Sequence, residues 1–185
     1  MSLDHAILGF LKYHSQSGYD LKKMFDNSIR HFWPADQSQI YRTLARLKEN
    51  GWVKVEIVEQ SDRPDRKVYH ITETGRAELH NWLCGPAPVW EGRLAPLIQI
   101  FFAGELTDEA LLEKCHELAN QFQNMLDVYH DTVKLGDQYA PMANSPREVF
   151  CWMLTLESGV QFAQSQLAWI ESVIQRIEQK EIPQQ

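Results

Sequence analysis

At 185 residues, 44% of them hydrophobic and 23% charged, the chain has an ordinary globular composition, enough for one domain or two small ones. A net charge of −7 excludes a surface coated with phosphate-binding cations but permits a local basic patch. No apolar run approaches the ~18–20 residues of a membrane span, and Asp4 stands where a signal peptide is positively charged, so the chain is expected in the cytoplasm.

Charge is unevenly spread. Residues 1–83 hold 12 Lys and Arg against 11 Asp and Glu, a balance of +1, whereas residues 84–185 hold 6 against 14, a balance of −8. Such asymmetry points to two modules with different partners, the first being the one able to meet phosphate. Three cysteines (Cys84, Cys115, Cys151) without metal or redox spacing fit reduced thiols.

"LDHAILGFLKY" predicts a short helix with Leu3, Ile7, Phe10 and Leu11 on its apolar side. A Ser/Gly turn follows, then a helix over "YDLKKMFDNS" that turns Leu21, Met24 and Phe25 inward. Pro34 breaks it, because proline disfavours helix at Trp33 and suits the start of the next one. That next helix has Asp36 as N-cap, an apolar stripe of Ile40, Leu44 and Leu47, and Gly51 as its left-handed stop. Its other face carries Ser38, Gln39, Tyr41, Arg42, Ala45, Arg46 and Lys48, with no acid between Gln37 and Lys48.

"WVKVEIVEQ" and "RKVYHI" alternate apolar and polar residues and predict two strands of a hairpin, joined by the turn-forming "SDRPD". Thr72 caps a further helix over "TETGRAELHNWL". Helices, a two-stranded β-wing and a last helix in about eighty residues make a winged helix-turn-helix, residues 1–83. The proline- and glycine-containing "CGPAPVWEGR" is the linker, 84–93.

Beyond it, residues 94–185 form an all-α domain with two long helices. Leu111, Cys115, Leu118, Phe122, Met125 and Tyr129 recur at helical spacing from about 107 to 135, and "LGDQYAPMANSP" is a loop. Ser145-Pro146-Arg147-Glu148 is a capping box with proline at the first helical position. From there Val149, Met153, Leu156, Val160, Leu167, Ile170 and Ile174 repeat in a heptad-like seam to about residue 180. Two such helices carry more apolar surface than one neighbour covers, so the seam is expected to pair with a second copy and make this the dimerisation domain of a homodimer.

In a helix-turn-helix the second helix of the pair enters the major groove with its N-terminal residues at base edges. Ser38, Gln39 and Arg42 lie there, and Gln and Arg make bidentate contacts to adenine and guanine. Arg46, one turn on, is placed for phosphate. Arg63, Arg66 and Lys67 at the hairpin tip fall where a wing meets backbone or minor groove. A face without carboxylates is what approach to phosphate requires. The competing readings are a winged-helix module that binds protein, and a sensor of aromatic ligands.

"LDHAILGFL", "SGYDLKKMF", "FWPADQSQIYRTLARLKENGWV" and "RPDRKVYHITETGRAELHNWL" together resemble the N-terminal domain of PadR-type transcriptional regulators. The C-terminal helices resemble the branch of that family sharing its C-terminal domain with the virulence-gene activator AphA. The resemblance runs nearly end to end. It implies a dimeric regulator that sets two winged helices on a roughly palindromic double-stranded operator, held together by its long C-terminal helices. Tyr41 and Arg42 correspond to the family's recognition-helix tyrosine and the polar position after it; Arg66 and Lys67 match the basic motif of the wing.

The remaining constellations carry less. The seven histidines fall at no metal-ligand spacing, and no GxSxG, P-loop or dinucleotide motif is present, so neither a metal, a cofactor nor an enzymatic activity is expected. Trp33, Trp52 and Trp82 are expected in the winged-helix core. Trp90, Phe101, Phe102, Trp152 and Trp169 are the candidates for an effector pocket, with dimer packing the simpler role.

Overall fold

The computed structural model describes residues 2–30, 32–59, 65–87, 94–139, 141 and 143–181. The chain divides into two compact units, residues 1–89 and 90–185.

The first unit runs α1 (Ser2–Tyr13), β1 (Gln16–Ser17), α2 (Gly18–Asn27), α3 (Gln37–Glu49), β2 (Val53–Val58), β3 (Arg66–Ile71) and α4 (Glu73–Cys84). Its core takes Ile7, Leu8 and Leu11 from α1, Leu21 and Phe25 from α2, and Ile40, Leu44 and Leu47 from α3, all between 0% and 2% exposed. Fully burying a side chain of this size contributes about 1.5–3 kcal/mol against the entropy of ordering it, so these eight residues fix how the three helices pack. Val53, Tyr69 and Leu79 close the core from the sheet and α4. Trp52 packs at its margin and Trp82 stacks on His5, whereas Trp33 is 39% exposed and is no core residue.

The hairpin has a third strand. β1 pairs with β3, giving the antiparallel order β1-β3-β2, with Ser17 opposite Val68 and Val58 opposite Arg66. Two residues show no alternation, which is why the sequence suggests only a turn there. β1 nonetheless matters, because it ties the root of the wing to the start of α2.

A tight joint holds α4 to the end of α3. Gly51 adopts φ +73°, and the amides of Gly51 and Trp52 return to the carbonyls of Lys48 and Leu47 (3.0 and 2.9 Å), the paired bonds of a Schellman stop. The Thr72 amide donates to the Trp52 carbonyl (3.0 Å), and the Thr72 and Thr74 hydroxyls both donate to the Gly51 carbonyl (2.7 and 2.9 Å). Gly75 completes the joint: a Cβ there would stand 2.2 Å from the Trp52 carbonyl oxygen.

The second unit holds α5 (Ala95–Phe101), a 3₁₀ turn (Ala103–Glu105), α6 (Asp108–Tyr139) and α7 (Pro146–Glu178). α6 continues to Tyr139, a turn further than the sequence suggests. The Ser145 hydroxyl caps α7 by accepting from the Glu148 amide, and the Glu148 carboxylate accepts from the amide of Asn144 (2.8 Å), one residue before the expected partner.

α6 and α7 form an antiparallel pair. Leu126 and Tyr129 meet Leu156 and Ala163, while Cys115 and Leu118 meet Ile170, Ile174 and Ile177. Gly159 lets the Tyr129 ring lie against α7, since a Cβ there would sit 2.9 Å from it.

This corrects the expected dimer seam. Leu156, Ile170 and Ile174 are 5%, 0% and 8% exposed in the single chain, and Val160 and Leu167 pack against the same cores. A heptad rhythm says that a stripe has a helical partner, not whose helix it is, and here α6 of the same chain fills that role. Val149 and Met153 alone lie outside these cores. Exposed apolar residues of this unit instead include Phe150 (63%), Leu154 (47%), Met153 (37%) and Val128 (60%), with Leu94, Leu97, Ile98, Phe101, Phe102 and Leu106 on and around α5. No helix among the described residues is long and apolar enough to cross a membrane.

Candidate nucleic-acid interface

The capped start of α3 organises the site. The Asp36 carboxylate accepts from the Gln39 amide N–H (2.7 Å), and the Gln39 side-chain oxygen accepts from the Asp36 amide N–H (3.0 Å), a reciprocal capping box. Gln39 is thereby held in a fixed rotamer, its side-chain NH₂ remaining as a donor. Behind it Ile40, Thr43, Leu44 and Leu47 are buried, so the helix cannot rotate without exposing its stripe. In front, Ser38, Gln39, Tyr41, Arg42, Ala45 and Lys48 are exposed together. Neither Arg42 nor Lys48 has an ion-pair partner among the described residues.

Arg46 does not share that freedom. Its guanidinium pairs with Asp4, a carboxylate only 3% exposed in the first turn of α1, and its Nε is buried without a hydrogen-bond partner. It is directed into the packing of α1 against α3, so the expected phosphate contact is replaced by an internal ion pair. The sequence carried a sign of this. Asp4 occupies the stripe that continues through Leu8 and Leu11, and an acid on a buried stripe needs a partner. Which cation would supply it, forty-two residues on, could not be read.

Tyr41 reaches the start of α2: a Cβ on Gly18 would be 2.5 Å from the tyrosine ring. Glycine there lets the exposed Tyr41 ring lie against the helix start; a Cβ would push the ring aside. Tyr69 of β3 is buried next to it, its phenol pushed upward chiefly by burial and further by the charge of ionised Tyr41. α3, the start of α2 and the sheet therefore converge at one corner.

Arg66 enters that corner from the wing and pairs with Asp20, a second acid missed in the sequence because the residues are far apart in the chain. Asp20 also closes the capping box of α2, its carboxylate accepting from the Ser17 hydroxyl at 2.7 Å. Its acidity is strengthened first by Ser17, against the opposing effect of burial, and then by Arg66. Lys67 is exposed beside Arg66, and Arg63 lies outside the described residues. A further exposed pair escaped the sequence reading: Lys23 sits over the ring of Tyr19, 4.6 Å from its centroid.

Behind the sheet face, Ser15, His70 and Glu56 form a hydrogen-bonded chain. The Ser15 hydroxyl meets Nδ1 at 2.6 Å, and Nε2 meets Glu56 at 2.8 Å. It links β2 and β3 to the residue before β1.

In the second unit a cleft of about 300 Å³ lies between α5, the 3₁₀ turn and α6, with Ile100, Phe102, Leu106 and Leu118 on its apolar walls and Lys114 at its edge. Of the aromatics proposed for an effector pocket, Phe102 lines it; Trp90 lies outside the described residues, and Trp169 packs into the α6–α7 core.

Comparison with known proteins places both units. The model of the "Transcriptional regulator PadR-like family" matches residues 7–81, and that of "Virulence activator alpha C-term" matches residues 93–178. A probable transcriptional regulator of Mycobacterium tuberculosis is 34% identical, covering 97% of this chain and 100% of its own length. Bacillus subtilis PadR solved in complex with operator DNA superposes with a TM-score of 0.80 at 25% identity, over 96% of this chain and 99% of that one. The same protein has been solved with p-coumaric acid (TM-score 0.72, 27% identity, 95% of each chain). The Vibrio cholerae virulence activator AphA superposes with a TM-score of 0.72 at 25% identity, over 96% and 99%.

Proposed function

The chain belongs to the PadR-like family of transcriptional regulators, and on that premise we propose that it is a cytoplasmic, homodimeric regulator that binds a palindromic operator in duplex DNA. Residues 1–83 are the DNA-binding domain, 84–93 the linker and 94–185 the dimerisation domain. α3 enters the major groove. Ser38, Gln39 and Arg42 face base edges, Tyr41 and Lys48 flank them, and Arg66 and Lys67, with Arg63, meet the backbone or minor groove beside it. Arg46 is left out of this set.

The observation that carries the reading is the outward face of α3. It presents Ser38, Gln39, Tyr41 and Arg42 together on a helix whose opposite face is wholly buried and whose ends are both fixed. Side chains on so immobile a helix are pre-organised for a groove. A B. subtilis relative solved on operator DNA supports the same geometry.

Dimerisation uses the apolar surface that the chain leaves uncovered, Phe150, Met153 and Leu154 of α7 with Val128 of α6, and the half-buried Val149 beside it. Exposed patches of this kind mark interaction sites on otherwise well-packed proteins.

The test is selection of bound fragments from the source genome by the purified protein, with affinity followed against salt. A recovered palindrome with half-sites about one helical turn or a multiple apart supports a dimeric reader. Arg42→Ala is expected to relax specificity at one position per half-site by about 1–3 kcal/mol if it meets a guanine, or to flatten the salt dependence if it meets phosphate. Sequence-indifferent binding that vanishes at physiological salt overturns the reading in favour of a protein-binding winged helix.

A second reading adds an effector. The B. subtilis relative solved with p-coumaric acid favours a small aromatic ligand, for which the cleft beside Phe102 offers apolar walls, with its Lys114 paired to Glu117 and Glu105 nearby. Titration of such ligands against the protein–operator complex tests it, and an unchanged operator affinity across the series removes it.

A further inference from the structure

One carboxylate stands inside the proposed DNA surface. Asp20 lies at the corner where α2, the wing root and Tyr41 converge: Ser17 of β1 pairs opposite Val68, two residues from Arg66, and Gly18 lies under the Tyr41 ring. The side chain cannot swing away as DNA approaches. It is the third residue of α2's capping box, its oxygen accepting from the Ser17 hydroxyl (2.7 Å) and the Ser17 amide (3.4 Å), while the Ser17 hydroxyl accepts from the Asp20 amide (3.2 Å). The same carboxylate oxygen takes the Arg66 guanidinium.

We propose that Asp20 is an internal competitor for the DNA backbone: it holds Arg66 in a neutral pair that a phosphate must displace, and so limits both operator affinity and its dependence on salt. This rests on the DNA-binding reading above. A phosphate that takes Arg66 releases a condensed counter-ion, but it leaves Asp20 bare beside a polyanion, where it recruits a cation in return. The net ionic gain from Arg66 is close to nil. Ser17, against the opposing effect of burial, and then Arg66 strengthen the acidity of Asp20, so it carries its charge at neutral pH, where binding is measured. The pair is half-exposed on the arginine side, so it contributes little to folding and its loss is felt in binding.

Asp20→Asn separates the two. Asparagine keeps an oxygen for Ser17 and the helix cap while removing the charge. Binding of the selected operator by the full-length homodimer is followed by fluorescence anisotropy across a potassium chloride series. Asp20→Asn is expected to bind several-fold more tightly at low salt, with the slope of log affinity against log salt steeper by about 0.9 per subunit. Adding Arg66→Gln to that variant is expected to abolish the gain and return the slope to the wild-type value, whereas Arg66→Gln alone leaves Asp20 bare beside the DNA and is expected to flatten the slope by about 0.9 per subunit. The proposal is overturned if Asp20→Asn binds with an unaltered slope or more weakly, for then Asp20 orients Arg66 and does not withhold it. It is equally overturned if the Asp20→Asn, Arg66→Gln double variant falls a full contact below the wild-type slope, for then Arg66 makes a full phosphate contact with Asp20 present; Asp20→Ser repeats both readouts should the asparagine not fold. Failure of the wild-type protein to select any operator takes the DNA-binding reading down with it. Failure of these variants alone leaves that reading standing.

Discussion

Replacing Arg46 by methionine separates the two roles that an arginine on α3 can have. Methionine keeps the aliphatic stem and a similar helix propensity, so only the charge is lost. Asp4, 3% exposed, would then hold a buried charge without a counter-ion. Breaking a buried ion pair from one side costs about 3–5 kcal/mol, and the 39% exposure of the Arg46 side chain moves the figure to the lower end, because water reaches the pair. The expected loss is therefore about 2–4 kcal/mol, read by urea unfolding at pH 7. Adding Asp4→Asn should restore most of the loss at pH 7. An Arg46→Met protein as stable as wild type, with an operator salt slope flatter by about 0.9 per subunit, would show that Arg46 holds phosphate and refute the internal pair.

Three other outcomes are expected. Gly75→Ala forces a Cβ to within 2.2 Å of the Trp52 carbonyl oxygen, a backbone atom that cannot step aside, and should cost about 1–3 kcal/mol despite alanine's better helix propensity; an unchanged melting temperature would contradict the close approach. Ile170→Asp should unfold the second unit, because Ile170 is fully buried within its own chain, whereas Leu154→Asp should give a folded monomer; circular dichroism with sedimentation distinguishes them, and a folded monomer from Ile170→Asp would restore the seam to the dimer interface. Cys115 is buried and its thiol is pushed upward by burial, so a thiol reagent followed by mass spectrometry should modify exposed Cys84 well before Cys115, and equal rates would show that the α6–α7 core opens readily.

What the sequence revealed divides along physical lines. Local signals were legible. Asp36 and Ser145 as caps, Gly51 as a left-handed stop and the alternation of the hairpin each act over a few residues, and each is where it was expected. Features that need a distant partner were not. The Asp4–Arg46 and Asp20–Arg66 pairs join residues 42 and 46 apart, and no local pattern marks which acid meets which base. α5 was missed for a third reason: seven residues, no side-chain cap, and apolar character without a single stripe give the 3.6-residue period nothing to register. The seam of α7 was recognised as a stripe but assigned to the wrong neighbour, since periodicity records burial and not the identity of what covers it.

The hydrogen bonds around Gly51 and Thr72 have a consequence for how this family of surfaces can diversify. With the Thr72 amide on the Trp52 carbonyl, the hairpin leaves and rejoins the domain at one point, as a loop whose ends are already tied. Closing a longer loop between fixed ends adds only about 0.6 kcal/mol for each doubling of its length. Residues can thus be inserted or deleted at the far end of the hairpin without disturbing α3 or α4, whose mutual position is set by the knot and by Gly75. The reach of the wing becomes a trait that evolution, or an engineer, can alter by itself, leaving α3 where it stands.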